Sequence, residues 1–150
     1  MHLKVDDISF SYTGFKALKH ISFEVQSGDM LAIIGQNGSG KSTLLKCLNR
    51  ILKINEGLIS IGHIPLKEYS PKRLSRTVAY IPQSEEIVGG ISVFDTVLLG
   101  RKPYIHSKPT TADMELVAGL LTRLELEAVA MRHLNTLSGG QPPRGFLPRA

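Results

Sequence analysis

Gly35-Gln36-Asn37-Gly38-Ser39-Gly40-Lys41-Ser42-Thr43 has the form G-x-x-x-x-G-K-S, a phosphate-binding loop. Before it, Met30-Leu31-Ala32-Ile33-Ile34 is a short apolar run that predicts a buried strand. After it, Leu44, Leu45, Leu48, Ile51 and Leu52 recur at helical spacing and predict a helix to about Lys53, with Arg50 and Lys53 in its last turn. Strand, glycine loop and helix are the context this pattern requires. A triphosphate needs many donors close together. Successive backbone N–H groups from Gly35, Asn37, Gly38, Ser39, Gly40 and Thr43 supply them, and the glycines let the chain bend and approach. A helix N-terminus adds partial positive charge. Lys41 can reach the terminal phosphates, and the Ser42 hydroxyl can ligate Mg²⁺. The expected ligand is therefore ATP with Mg²⁺.

Composition narrows the class. A chain of 150 residues with 42% hydrophobic and 21% charged residues can build a globular core. A single cysteine, Cys47, excludes an internal disulfide framework, and its place in the predicted helix makes it a small buried hydrophobe. No apolar run is long enough to span a bilayer, and the start of the chain lacks a signal-peptide core. A cytoplasmic protein is expected. The net charge of +5 is spread along the chain without a basic run interleaved with aromatics, so a nucleic-acid partner is not expected. The five histidines are isolated from one another and suggest no metal centre.

Residues 3–12 alternate loosely and predict a strand. Thr13-Gly14 turns the chain, and Ile21–Val25 predicts a second strand antiparallel to the first. Ser27-Gly28-Asp29 is a turn, as is Asn55-Glu56-Gly57, and Leu58–Ile61 is a further strand. Ser70 and Pro71 predict a short helix to Arg76, and Val78–Ile81 a short buried strand ended by Pro82. From there the pattern is helical. Ser92 to Asp95 opens a helix to about Leu99 in the manner of a capping box. A second helix covers 111–124 with Leu116, Leu120, Leu121 and Leu124 apolar, and a third covers 125–132. The expected organisation is an α/β nucleotide-binding core over 1–83, a helical subdomain over 84–137, and a final segment over 138–150.

That final segment opens with Leu137-Ser138-Gly139-Gly140-Gln141. LSGGQ, about a hundred residues after a phosphate loop, resembles the signature of ABC-type ATPases at every position. The resemblance implies a P-loop NTPase core of ABC type, an antiparallel β subdomain near the N-terminus and an inserted helical subdomain. It implies that Ser138, Gly139, Gly140 and Gln141 cap the ATP held by a partner subunit, in a head-to-tail homodimer. Tyr12, in Ser9-Phe10-Ser11-Tyr12, matches the family aromatic that stacks on adenine. Gln83, ending Tyr80-Ile81-Pro82-Gln83, matches the glutamine that approaches Mg²⁺ and the attacking water. Lys41 and Gln83 are then the expected catalytic residues, and Ser42 and Gln83 the expected metal-facing ones. Ser92–Arg101, followed by Pro103-Tyr104, is similar to ATPases of importers for ferric siderophores, haem or cobalamin. Such subunits sit on the inner face of the membrane against transmembrane permease subunits.

The chain departs from the family pattern near its end. The family continues with an Asp for Mg²⁺, a catalytic Glu and a switch His, and these match nothing up to Ala150. Hydrolysis by this chain alone is therefore not expected, and an inactive nucleotide-binding fragment is the main alternative. A non-transport ABC ATPase is a second alternative, but the basic or coiled insertions it calls for are not in the sequence. Pro142 and Pro143 fall where a helix after the signature would need N–H donors, so 138–150 is expected to be irregular.

Overall fold

In the computed structural model, residues 2–83 and 90–137 are described. They fall in two compact units, Met1–Leu74 and Ser75–Ala150. The final segment and its signature residues lie outside the described residues.

The first unit is built on an antiparallel sheet. β1 (Leu3–Tyr12) pairs with β2 (Phe15–Val25) through the Thr13-Gly14 turn, and on its other edge with β3 (Glu56–Ile61). β4 (Ile64–Pro65) extends the order to β2-β1-β3-β4. The loose alternation in β1 has a structural cause. Val5 and Ile8 are both buried though three positions apart, so the pleat must slip once between them. It slips at Asp7, which is left-handed at φ 49, opposite an irregularity in β2 at His20, φ 50. The N–H groups turned out of register there find side-chain acceptors. Asp7 donates to Ser22 Oγ at 2.8 Å and His20 to Ser9 Oγ at 3.2 Å.

Gly57 closes the same irregularity from the β3 side. Its φ is 85, and a Cβ there would collide with the Asp6 and Asp7 carbonyl oxygens. Asn55-Glu56-Gly57, expected as a turn, is instead the bulged entry to β3. Asn55 anchors it, donating its N–H to the Ser9 carbonyl and accepting from the Ser11 N–H at 2.7 Å.

α1 (Lys41–Leu48) buries Leu44 and Cys47, whereas Leu45 and Ile51 are exposed. It stops well short of Lys53. Arg50 turns left-handed at φ 56, and its guanidinium donates to the carbonyls of Leu66 and Tyr69. A cation expected to face the helix dipole thus anchors the chain beyond the helix end. α2 (Pro71–Ser75) follows, with Ser70 Oγ accepting from the Arg73 N–H.

Two expected strands do not form. Met30–Ile34 lies outside any strand, with Met30 98% and Ile34 93% exposed. Val78–Ile81 likewise lies outside any strand, and Ile81 is exposed. An unbroken apolar run reads as a strand covered on both faces, and such a strand exists only with neighbours to bond. Among the described residues neither run has a ladder partner.

The second unit is helical. α3 (Val93–Leu99) is capped by Ser92, whose Oγ accepts from the Asp95 N–H and donates to the Asp95 carboxylate. Two further N–H groups of its first turn bond the Arg132 and Ala130 carbonyls. α4 (Thr111–Arg123) carries a full capping box from Thr110 and Asp113. Its buried face is Asp113, Val117 and Leu121; of the expected leucine stripe, Leu121 is in the core, Leu120 and Leu124 pack against it partly buried, and Leu116 is exposed. The expected third helix reduces to a single 3₁₀ turn, Glu127–Val129. Val93, Val97, Val117, Leu121, Leu126, Val129 and Leu134 form one core.

Asp113 joins the cap to a second contact, accepting from Arg101 Nε at 3.0 Å. The Arg101 guanidinium in turn stacks on Tyr104. The Thr110 N–H, the Thr110 hydroxyl and then Arg101 hold the Asp113 carboxyl below its usual pKa. Its folded-state pKa is lowered, so its contribution to stability is present above the unfolded carboxylate range and is lost as pH falls through the folded value.

Two substitutions test this description by urea unfolding. Gly57→Ala is expected to cost at least ~2 kcal/mol, from left-handed strain plus collision with backbone oxygens. Thr110→Ala is expected to cost about 1 kcal/mol. Parent-like stability for either variant would contradict the corresponding contact.

Candidate functional site

The glycine loop crosses from the exposed Met30–Ile34 segment into α1. Gly38 (φ 81) and Gly40 (φ 92) are left-handed, as glycine permits at no steric cost. The Ser39 N–H bonds the Gln36 carbonyl at 3.2 Å and closes the loop. The first intrahelical bond of α1 runs from Leu44 N–H to Gly40 O at 2.8 Å. The N–H groups of Lys41, Ser42 and Thr43 precede it and have no intrahelical acceptor. No side chain caps this end. Three aligned donors at a helix start, with the dipole behind them, form an anion cup.

Lys41 folds over the loop. Its Nζ donates to the Gly35 carbonyl at 2.8 Å and the Gln36 carbonyl at 2.7 Å. An ammonium group has three donors, so one remains for a ligand. Ser42 is exposed on the first turn of α1. A triphosphate with Mg²⁺ fits this donor set: N–H groups and ammonium for phosphate oxygens, a hydroxyl for the metal.

The β1–β2 hairpin backs the loop. A Cβ on Gly40 would lie 2.6 Å from the Ala17 carbonyl oxygen and 3.1 Å from a Leu18 methyl. The loop therefore presses on β2 where only glycine fits. Tyr12 ends β1 beside it and is 44% exposed. Its hydroxyl is 3.4 Å from the Thr43 hydroxyl, and its ring meets that of Phe10 edge-on. Tyr12, Gly35, Asn37, Gly38, Ser39, Gly40, Lys41, Ser42 and Thr43 thus share the first unit. Gln83 is exposed and belongs to the second. Ser138, Gly139, Gly140 and Gln141 lie outside the described residues. Phe10, Ala17 and Leu18 were not expected at the site. The spacing of Phe10 from Tyr12, two residues along a strand, was the available signal for the first of them.

Among the described residues no cluster of His, Cys, Asp or Glu could hold a metal ion by itself, and no helix is long and apolar enough to cross a membrane.

Comparison with known proteins shows the family and the fold. The family model for ABC transporters matches residues 18–150. An uncharacterized ABC transporter ATP-binding protein of Methanocaldococcus jannaschii is 43% identical over 150 residues, covering 100% of this chain and 59% of that protein. The hemin import ATP-binding protein of Deinococcus radiodurans is 36% identical over 147 residues, covering 98% of this chain and 55% of that protein. Among solved structures, an ATP-binding cassette of an ABC transporter superposes with a TM-score of 0.82 at 29% identity, over 99% of this chain and 63% of that one. The chain thus spans a little over half the length of these relatives. Its fold is that of ABC ATPases, with antiparallel sheet and helices. The chain belongs to the ABC transporter family.

Proposed function

We propose that this chain is the nucleotide-binding part of an ABC transporter ATP-binding subunit that serves an importer. The observation that carries the nucleotide reading is the anion cup. The N–H groups of Lys41, Ser42 and Thr43 have no intrahelical acceptor, and the Lys41 ammonium is held on the same loop by the Gly35 and Gln36 carbonyls. Tyr12 offers an exposed ring beside it for the base.

The chemistry of such a site is positioning and electrostatics rather than covalent catalysis. Backbone N–H groups hold the phosphates without needing to reorganise. Lys41 supplies positive charge where the terminal phosphate lies. Ser42 would hold Mg²⁺, which would supply positive charge to the phosphates. Gln83 matches the family glutamine that faces the metal and the attacking water.

The transport reading rests on the relatives. Proteins aligned over 98% and 100% of the chain are named for import of hemin and transport of manganese. An iron chelate, haem or another metal species is the substrate class that fits this company. In the whole protein, two such subunits would meet head to tail, each lending its Ser138-Gly139-Gly140-Gln141 signature to the other's ATP. Binding would close the pair and hydrolysis reopen it, driving permease subunits in the membrane.

The lysine gives the direct test. Lys41→Ala is expected to weaken Mg-ATP binding more than tenfold, a loss above ~1.4 kcal/mol, with little change in the unfolding midpoint. Equal affinity of variant and parent for labelled ATP would remove the nucleotide reading.

A further inference from the structure

Tyr12 and Thr43 belong to different elements, the end of β1 and the first turn of α1, yet their hydroxyls lie 3.4 Å apart. Phe10 fixes the same tyrosine ring through a second contact. It is 7% exposed, and the two ring centroids are 4.9 Å apart with planes at 89°. This edge-to-face geometry is the favoured one for aromatic pairs. The ring is therefore held at its hydroxyl by the helix and along its body by a core residue. Nearby, Gly40 passes so close to β2 that a Cβ there would lie 2.6 Å from the Ala17 carbonyl oxygen.

We propose that Thr43 is a positioning residue for Tyr12. Its hydroxyl holds the tyrosine ring as a preformed platform and registers the base of a bound nucleoside triphosphate to its phosphates. The inference rests on the nucleotide reading above and deepens it. A ring already fixed in the folded chain loses little further rotamer freedom when a base stacks on it. The tyrosine hydroxyl then has a role that an aromatic ring alone cannot fill. Phenylalanine at position 12 would keep the contact with Phe10 and the stacking face but lose the tie to α1. The ligand chemistry involved is a planar base joined to a polyphosphate. A bare polyphosphate engages the loop without the platform.

Calorimetric titration of the full chain with Mg-ATP and with magnesium tripolyphosphate separates these contributions. The nucleotide reading requires the parent to bind both, and a parent that binds neither overturns that reading and this inference together. With a binding parent, Tyr12→Phe is expected to weaken ATP about threefold, the order of one net hydroxyl hydrogen bond, and to leave tripolyphosphate unchanged. Thr43→Val is expected to weaken ATP and Thr43→Ser to restore it, because the hydroxyl returns. The double variant Tyr12→Phe with Thr43→Val should bind ATP no more weakly than the worse single variant, since both remove the same bond. A bond that merely stabilised the fold would lower both affinities in Tyr12→Phe, or neither. Parent-like ATP affinity in Tyr12→Phe, or an equal loss for tripolyphosphate, overturns the inference. If Thr43→Val does not fold, the ratio of the two affinities in Tyr12→Phe still decides it.

Discussion

Gly40 has no room for a side chain. Its left-handed backbone starts α1, and the Ala17 carbonyl of β2 lies where a Cβ would be. The arrangement of the first unit depends on this close approach. With the loop pressed on the hairpin, α1 begins where its free N–H groups face outward, and Leu44 and Cys47 turn into the core. The same approach brings the end of β1, and with it Tyr12, against the first turn of the helix. The N–H groups at the start of α1 and an aromatic ring then share one support, though they come from separate elements of the chain.

The hairpin that provides this support is held by its own irregularities. Asp7 and His20 break the ladder at matching places, and Ser22 and Ser9 recover the stranded N–H groups. Gly57 lets β3 cross the same place. A regular sheet here would put Val5 and Ile8 on opposite faces and expose one of them. The bulge keeps both in the core, and Phe10 with them, which is what sets the Tyr12 ring at its edge.

What could be read from the sequence was local. The glycine loop, the antiparallel first two strands, the Ser70 and Ser92 caps and the buried Cys47 are each specified by neighbours a few residues away, and each is present. What could not be read depended on distant groups. Met30–Ile34 and Val78–Ile81 have strand composition, but a strand is a relation between segments, and no described segment pairs with either. The end of α1 depends on the Leu66 and Tyr69 carbonyls that draw Arg50 out of the helix. On α4 the exposed Leu116 and the buried Asp113 and Val117 were not legible, because which residues flank the core side of the leucine stripe depends on what packs there. At the site, the loop residues were legible from type and spacing alone. The backing by Ala17 and Leu18 was not, because a glycine's necessity shows only when the atom it makes room for is in place.

The central claim is that the start of α1 and the hairpin tip act together as one phosphate-and-base site. Hydrogen exchange followed by mass spectrometry, with and without saturating Mg-ATP, tests it most directly. The account predicts slowed exchange at the amides of Gly38 to Thr43 and at the tip of the β1–β2 hairpin near Tyr12, with the core of the helical unit unchanged. Unaltered exchange across Gly38 to Thr43 under conditions where ATP is bound would contradict it.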